Sequence, residues 1–221
     1  MKGDCIVVAL PKGRLFQDSI KLFASLGIAC VESLSGSRKL ICEDRERGLK
    51  FLVLKDADIP TYVEHGAADV GIVGKDLLLE QEKDLYEPLD LGFGRCRLVV
   101  AEPAELRTRD DPKGWSSLRI ATKYPNVAER YFSQKGIQVE IIRLSGSIEL
   151  APLVGLCERI VDLVASGRTL RENGLVEVEE IAESSARLIV NRASLKTKHR
   201  RIQELIDAIR EKVSHQPKAE G

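Results

Sequence analysis

Residues Ile160-Val161-Asp162-Leu163-Val164-Ala165-Ser166-Gly167-Arg168-Thr169-Leu170 carry a carboxylate on an apolar run that breaks into a small-residue turn and then a helix. The N–H groups of a first helical turn have no intrahelical acceptor and point at one spot. The hydroxyls of Ser166 and Thr169 can join them there, an arrangement suited to a phosphate monoester. Gly167 lets the backbone approach such a group closely. Asp162, on the strand just before, suits the hydroxyls of a sugar beside that phosphate. The same residues would also serve as a common capped strand-to-helix turn.

A second set lies near the start, where Ala9-Leu10-Pro11-Lys12-Gly13-Arg14-Leu15 puts two cations and a glycine at the carboxyl end of an apolar run. In open α/β sheets that edge is where ligands bind, and Arg14 beside free helix N–H groups favours an anion such as pyrophosphate. Solvated basic residues in a turn are the alternative. Ser37-Arg38-Lys39 and Lys55 add cations to the same half, while Asp56 and Asp58 suit helix caps. Neither Gly-x4-Gly-Lys-Ser/Thr nor Gly-x-Gly-x-x-Gly occurs, which disfavours a standard ATPase or nicotinamide-binding domain.

The elements that must hold these residues follow from the hydrophobic pattern. Short apolar runs alternate with amphipathic stretches throughout, the signature of an α/β protein. Strands are expected at Cys5–Leu10, Ile28–Glu32, Asp69–Val73, Leu98–Ala101, Ile120–Thr122, Val139–Arg143 and Ile160–Val164. Leu40–Cys42 and Lys50–Leu54 should form a hairpin. Helices are expected at Arg14–Leu26, after an Asp58 cap with Pro60 in the first turn, at Lys75–Gln81, at Val127–Lys135, and at Ser194–Val213, which carries an apolar face. The stretch from Glu102 to Gly114 reads as a loop, and the tail after Ser214 as disordered.

With 221 residues the chain has room for one large or two small domains, and its 34 basic and 34 acidic residues cancel. Bulk charge thus gives no case for nucleic acid or a membrane surface. No apolar run approaches the roughly 20 residues of a spanning helix, so a cytoplasmic location is expected. The five cysteines, Cys5, Cys30, Cys42, Cys96 and Cys157, include no Cys-x-x-Cys pair, and reduced, mostly buried thiols are expected. His65, His199 and His215 share no metal-ligand spacing and are expected at the surface.

Taken as a set, Leu10-Pro11-Lys12-Gly13-Arg14, Ser37-Arg38-Lys39-Leu40, Asp58 to Gly71, Gly74-Lys75-Asp76, Arg119 to Tyr124 with Asn126, Gly146 to Pro152, and Asp162 to Leu175 make the chain resemble the catalytic subunit of ATP phosphoribosyltransferases, the first enzymes of histidine biosynthesis. The resemblance implies a two-lobed α/β fold like that of type II periplasmic binding proteins, with the active site in the interlobe cleft. Lobe I would comprise residues 1–95 plus 185–221, and lobe II residues 96–184. It implies condensation of ATP with phosphoribosyl pyrophosphate to N1-phosphoribosyl-ATP and pyrophosphate, a pentosyl transfer. Asp162 to Leu170, including Ser166, Gly167, Arg168 and Thr169, would bind the 5-phosphate and ribose, with Glu149 and Asp162 for the hydroxyls. Arg14 and Arg38 would meet the pyrophosphate, with Lys12 assisting. Lys55 stands where many relatives carry Arg, keeping the charge without the bidentate fork. Mg²⁺, held mostly by substrate phosphates, is the implied cofactor. The length matches the short form of the family, which works as a homodimer within a hetero-oligomer containing a regulatory subunit resembling histidyl-tRNA synthetase.

Overall fold

The structure is a computed structural model that describes residues 5–106 and 118–214. The described residues up to Gly94 and those from Ser185 onward form one compact unit, and Arg95–Ser184 form a second.

The first unit begins with β1 (Ile6–Lys12), α1 (Phe16–Ser25), β2 (Ile41–Asp44), β3 (Leu49–Lys55), α2 (Ile59–Glu64), β4 (Val70–Gly74), α3 (Lys75–Gln81) and β5 (Tyr86–Asp90). Strand β1 is apolar on both faces and lies between β3 and β4, parallel to each, as such a strand must if neither face is to meet water. Helix α1 buries Ile20, Leu22 and Phe23, and Phe23 meets Phe51 of β3 edge to face at 5.0 Å between centroids. Helix α2 packs so closely on β4 that a Cβ at Gly71 would lie 2.7 Å from Ile59.

Two expectations for this stretch need correction. The segment expected as a strand at Ile28–Glu32 is a 3-10 helix, Ala29–Leu34. Its buried residues are Val31 and Leu34, and a three-residue spacing puts them on one side of a 3-10 helix, where side chains at i and i+3 eclipse. Strand alternation would have placed them on opposite faces. Asp58 precedes α2, with Pro60 in its first turn, yet its side chain makes no capping hydrogen bond, because Asp56–Asp58 already form a 3-10 turn leading into the helix.

The second unit contains β6 (Cys96–Pro103), β7 (Leu118–Thr122), α4 (Pro125–Gln134), β8 (Val139–Arg143), α5 (Leu150–Leu153), β9 (Arg159–Val164), α6 (Arg168–Glu172) and β10 (Leu175–Ser184). Its sheet order is β10-β6-β9-β7-β8, with β7 parallel to both β8 and β9. Strand β6 runs on through Glu102 and Pro103, where a loop was expected. The remainder of that expected loop, from 107, lies outside the described residues. Glu102 stays in the sheet because its buried carboxylate receives Nε of Arg159 at 2.7 Å. Strand β10 is an edge strand, and three of its glutamates are answered by cations: Glu177 and Glu180 by Arg97, and Glu179 by Lys135.

The chain then returns to the first unit as β11 (Ala186–Val190), α7 (Arg192–Thr197) and α8 (His199–Ser214). Strand β11 inserts antiparallel between β4 and β5, completing the order β2-β3-β1-β4-β11-β5. The single terminal helix expected at Ser194–Val213 is two helices broken at Lys198. Asn191 caps α7 by accepting from the Ser194 N–H at 2.7 Å. Ile202, Leu205, Ile206 and Ile209 on α8 enter the core built by α1, β1 and β3. The break turns Lys198 inward, where its ammonium donates to both oxygens of buried Asp69, at 2.9 and 2.8 Å, and to the Cys5 carbonyl at 2.8 Å. Asp69 also accepts the Val7 N–H. Lys198→Met keeps the aliphatic stem but leaves that carboxylate without its cation, and should cost about 2 kcal/mol, read as a lower urea midpoint. The expected disordered tail after Ser214 lies outside the described residues.

Candidate functional site

In the second unit the chemistry collects at the carboxyl ends of β9 and β7. Asp162 sits near the end of β9, and one of its oxygens accepts the Leu163 N–H at 2.8 Å. Beyond the strand, Gly167 takes a left-handed φ of 70° at the start of α6. A Cβ there would approach only the mobile tips of the Arg171 and Glu177 side chains, at 2.9 and 3.2 Å, so it is the left-handed backbone that calls for glycine. The N–H groups of Arg168, Thr169 and Leu170 lie in the first turn and have no intrahelical acceptor. That of Arg168 reaches the Ser166 hydroxyl at 3.4 Å. The Leu170 side chain is buried in the unit's core, so it anchors the turn and can offer a ligand only its N–H. Thr169 and Ser166 are exposed, and the Arg168 guanidinium pairs with Glu172 one turn on.

Glu149 reaches the same place from another segment. Ile148 and Ala151 on either side are buried with Ile160, Val164 and Leu170, and Ser147 adopts φ 51° to turn the chain into α5. Burial pushes the Asp162 carboxyl up to about 6, the Glu149 charge adds to the rise, and Lys123 and the Leu163 N–H oppose it. Lys123 was within a resembling block, but its partnership was not visible there. It is placed by Thr122, whose hydroxyl donates to the Val161 carbonyl and accepts the Tyr124 N–H, on a strand in register with β9. Two carboxylates, one of them costly to ionise, and a lysine thus stand next to a turn of outward N–H groups.

The first unit holds the cations. Lys12 and Lys55 are register partners at the carboxyl ends of the parallel strands β1 and β3. Lys12 and Arg38 line one cavity of about 520 Å³, together with Lys39, and Phe16, Leu34 and Val53 supply apolar wall. Arg38 is carried by the irregular segment between the 3-10 helix and β2. There the Ser37 hydroxyl accepts the Lys39 N–H at 3.0 Å, and the Leu40 carbonyl accepts that of Val53 at 2.8 Å. Three cations and no carboxylate in such a lining favour a polyanion. Arg14 does not line this cavity. Its Nη1 donates to the Gly94 carbonyl at 2.7 Å. Lys39 was noted in the sequence only as an added cation, because the cavity depends on the fold of 34–40 over β1 and β3. Among the described residues no cluster of three or more His, Cys, Asp or Glu side chains could hold a metal, and no helix is long and apolar enough to cross a membrane. His65 and His199 are exposed, and His215 lies outside the described residues.

Known proteins are similar to this chain over nearly its whole length. A protein named ATP phosphoribosyltransferase from Geobacter metallireducens is 64% identical over 211 residues, covering 96% of this chain and 100% of that one. One from Caldanaerobacter subterraneus is 56% identical, covering 96% and 99%. Among solved structures, the ATP phosphoribosyl transferase (HisG:HisZ) complex from Thermotoga maritima matches with a TM-score of 0.83 and 35% identity, over 96% of this chain and 100% of that chain. The periplasmic aliphatic sulphonate binding protein SsuA of Escherichia coli matches at 12% identity and a TM-score of 0.58, over 96% of this chain and 69% of its own. That likeness shows the fold alone, the two-lobed α/β architecture of periplasmic binding proteins. The family model described as ATP phosphoribosyltransferase matches residues 55–211. The chain therefore belongs to the ATP phosphoribosyltransferase family, pentosyl transferases that open histidine biosynthesis.

Proposed function

We propose that Asp162 and Glu149 take the ribose hydroxyls of phosphoribosyl pyrophosphate, and that the Ser166–Leu170 turn takes its 5-phosphate through backbone N–H groups and the Ser166 and Thr169 hydroxyls. The observation that supports this most is the Asp162 carboxyl, held up at about 6 beside Glu149. A protein that needed no hydroxyl ligand there would gain stability by removing one of the two charges. Arg14 and Arg38, with Lys12 and Lys55, are assigned to the pyrophosphate and to the charge that grows on it as it leaves.

The chemistry asks for little more. Adenine N1 of ATP already has a lone pair. As its bond to the anomeric carbon forms, the bond from that carbon to pyrophosphate breaks, through an oxocarbenium-like state. No protein nucleophile or strong base is needed, so rate must come from placing two polyanions and stabilising the departing charge. A divalent ion, which we take to be Mg²⁺, would supply part of that neutralisation. The hard oxygens of Asp162 and Glu149 suit it, while the substrate phosphates would provide most ligands. We also propose that the chain works in a hetero-oligomer with a regulatory subunit, on the likeness to the Thermotoga complex, and that it acts in the cytoplasm.

The test follows the absorbance of N1-substituted adenine with ATP, phosphoribosyl pyrophosphate and Mg²⁺ present, and pyrophosphatase to draw the equilibrium forward. Thr169→Ala should raise KM for phosphoribosyl pyrophosphate about 5- to 10-fold, the loss of one phosphate hydrogen bond, with KM for ATP nearly unchanged. A selective loss of ATP binding would show the two substrate assignments to be exchanged.

A further inference from the structure

Two of the five cysteines meet in the fold. Cys30 lies in the 3-10 helix Ala29–Leu34 and Cys42 in β2, twelve positions apart, and their sulfurs are 3.0 Å from one another. Both are partly buried against the edge of the first unit's core, Cys5 is partly buried, and Cys96 and Cys157 are buried. The expectation of mostly buried thiols therefore holds for two of the five. Only a small closure separates the pair from bonding distance, near 2.05 Å. The residues between them include Leu34 to Leu40, the segment that carries Arg38 and Lys39 and lines the cationic cavity.

We propose that Cys30 and Cys42 are a reversible disulfide site, and that oxidising them closes a ring around the Arg38 segment and slows the transfer reaction. The oxidant is a low-molecular-weight disulfide. Cys30 attacks one of its sulfurs, forming a mixed disulfide and releasing one small thiol. Cys42 then displaces the second small thiol from Cys30. Two protein thiols are oxidised to one disulfide, one small disulfide is reduced to two thiols, and the two protein protons end on those thiols. Burial pushes the Cys42 thiol up to about 12, helped by its hydrogen bond to Cys30 and by the Asp44 charge. That makes Cys42 the poorer first nucleophile, so Cys30 attacks first, and the part of the rise owed to the Cys30 thiol ends once Cys30 is in the mixed disulfide.

The effect on rate arises because the ring removes freedom from the backbone that aims Arg38, and misplacement by about 1 Å is enough to reduce turnover strongly. This part rests on the assignment of Arg38 to the departing pyrophosphate. The closing of the ring does not.

The experiment incubates the reduced full chain with oxidised glutathione and maps the product by intact mass and peptide analysis, then measures kcat. The expected result is a loss of two hydrogens confined to the peptide pair bearing Cys30 and Cys42, with kcat lowered at least about threefold and restored by dithiothreitol. Cys42→Ser and, separately, Cys30→Ser should keep their kcat through the same treatment. Glutathione adducts without the internal bond would overturn the proposal. So would a mapped Cys30–Cys42 bond with unchanged kcat, or an equal loss in both serine variants. If Arg38→Ala leaves turnover unchanged, the assignment of Arg38 fails instead, and the mass result still decides whether the site exists.

Discussion

Asp162→Asn should make the protein more stable and nearly inactive. The carboxyl has an ordinary value of 3.8 and is held up at about 6 in the fold. The unfolded chain thus gives up this proton more readily than the folded one. The resulting penalty on folding is absent below about pH 4, grows between about 4 and 6, and is complete above 6. At one pH unit per 1.36 kcal/mol, the asparagine variant should gain about 2–3 kcal/mol near pH 8 and little near pH 4. Its amide oxygen still accepts the Leu163 N–H, so the comparison isolates the charge. Thermal melts at the two pH values would read this, and equal shifts at both would show that ionisation is not the cause.

The loss of activity has the same origin. An ionised carboxylate accepts two hydroxyl donors through charge-assisted bonds, whereas an amide must present one donating face to them. The expected fall in kcat/KM for phosphoribosyl pyrophosphate is on the order of 10²–10³. In the wild type this quantity should also drop as pH falls through about 6, as the Asp162 carboxyl takes up its proton. A phosphate monoester has its own second ionisation near pH 6, so the two must be separated. The inflection that disappears in Asp162→Asn belongs to the protein, and one that persists belongs to the substrate. A stabilising substitution that abolishes function is the mark of a residue kept for binding rather than folding.

The sequence made some of this plain, and the physical reasons for the rest are specific. Strand β1 and strand β9 with its turn were readable because short apolar runs, broken in β9 only by Asp162, followed by glycine leave few other structures. Strand β10 was not anticipated, because Glu177, Glu179 and Glu180 interrupt the alternation of apolar residues that marks a strand. They become a strand only when Arg97 from β6 and Lys135 at the end of α4 answer them across the sheet. Strands β5 and β11 depend on one another and on β4, a pairing between segments about a hundred positions apart. The break at Lys198 was invisible because its cause is Asp69, far away in sequence. In the site, residue types and order pointed to Asp162 and the turn, but the burial that raises the carboxyl is contributed by the packed sheet. The nearness of Cys30 to Cys42 likewise depends on the 3-10 helix, which the apolar run Ile28 to Val31 disguised as a strand.

Arg38→Ala should lower kcat by about 10²–10³ while changing ATP affinity only a few-fold. Arg38 is exposed on the cavity wall and has no hydrogen bond or ion pair among the described residues. Its removal therefore leaves no partner stranded and should cost little stability, so a fall in rate cannot be ascribed to unfolding. In the ground state Lys12 and Lys39 still line the same cavity and can hold much of the charge of a pyrophosphate group bound there. What arginine adds is a planar fork matched to two phosphate oxygens. That match matters most when the bond to the anomeric carbon stretches and negative charge moves onto the departing pyrophosphate. Arg38→Lys should consequently recover part of the rate, restoring charge without the fork, and should separate field from geometry. Rapid mixing followed by quench, with ATP binding measured independently, distinguishes the possibilities. A variant with normal kcat and a raised KM for ATP would make Arg38 a ground-state binding residue, and the charge that develops during departure would then have to be met by Arg14, held at the Gly94 carbonyl.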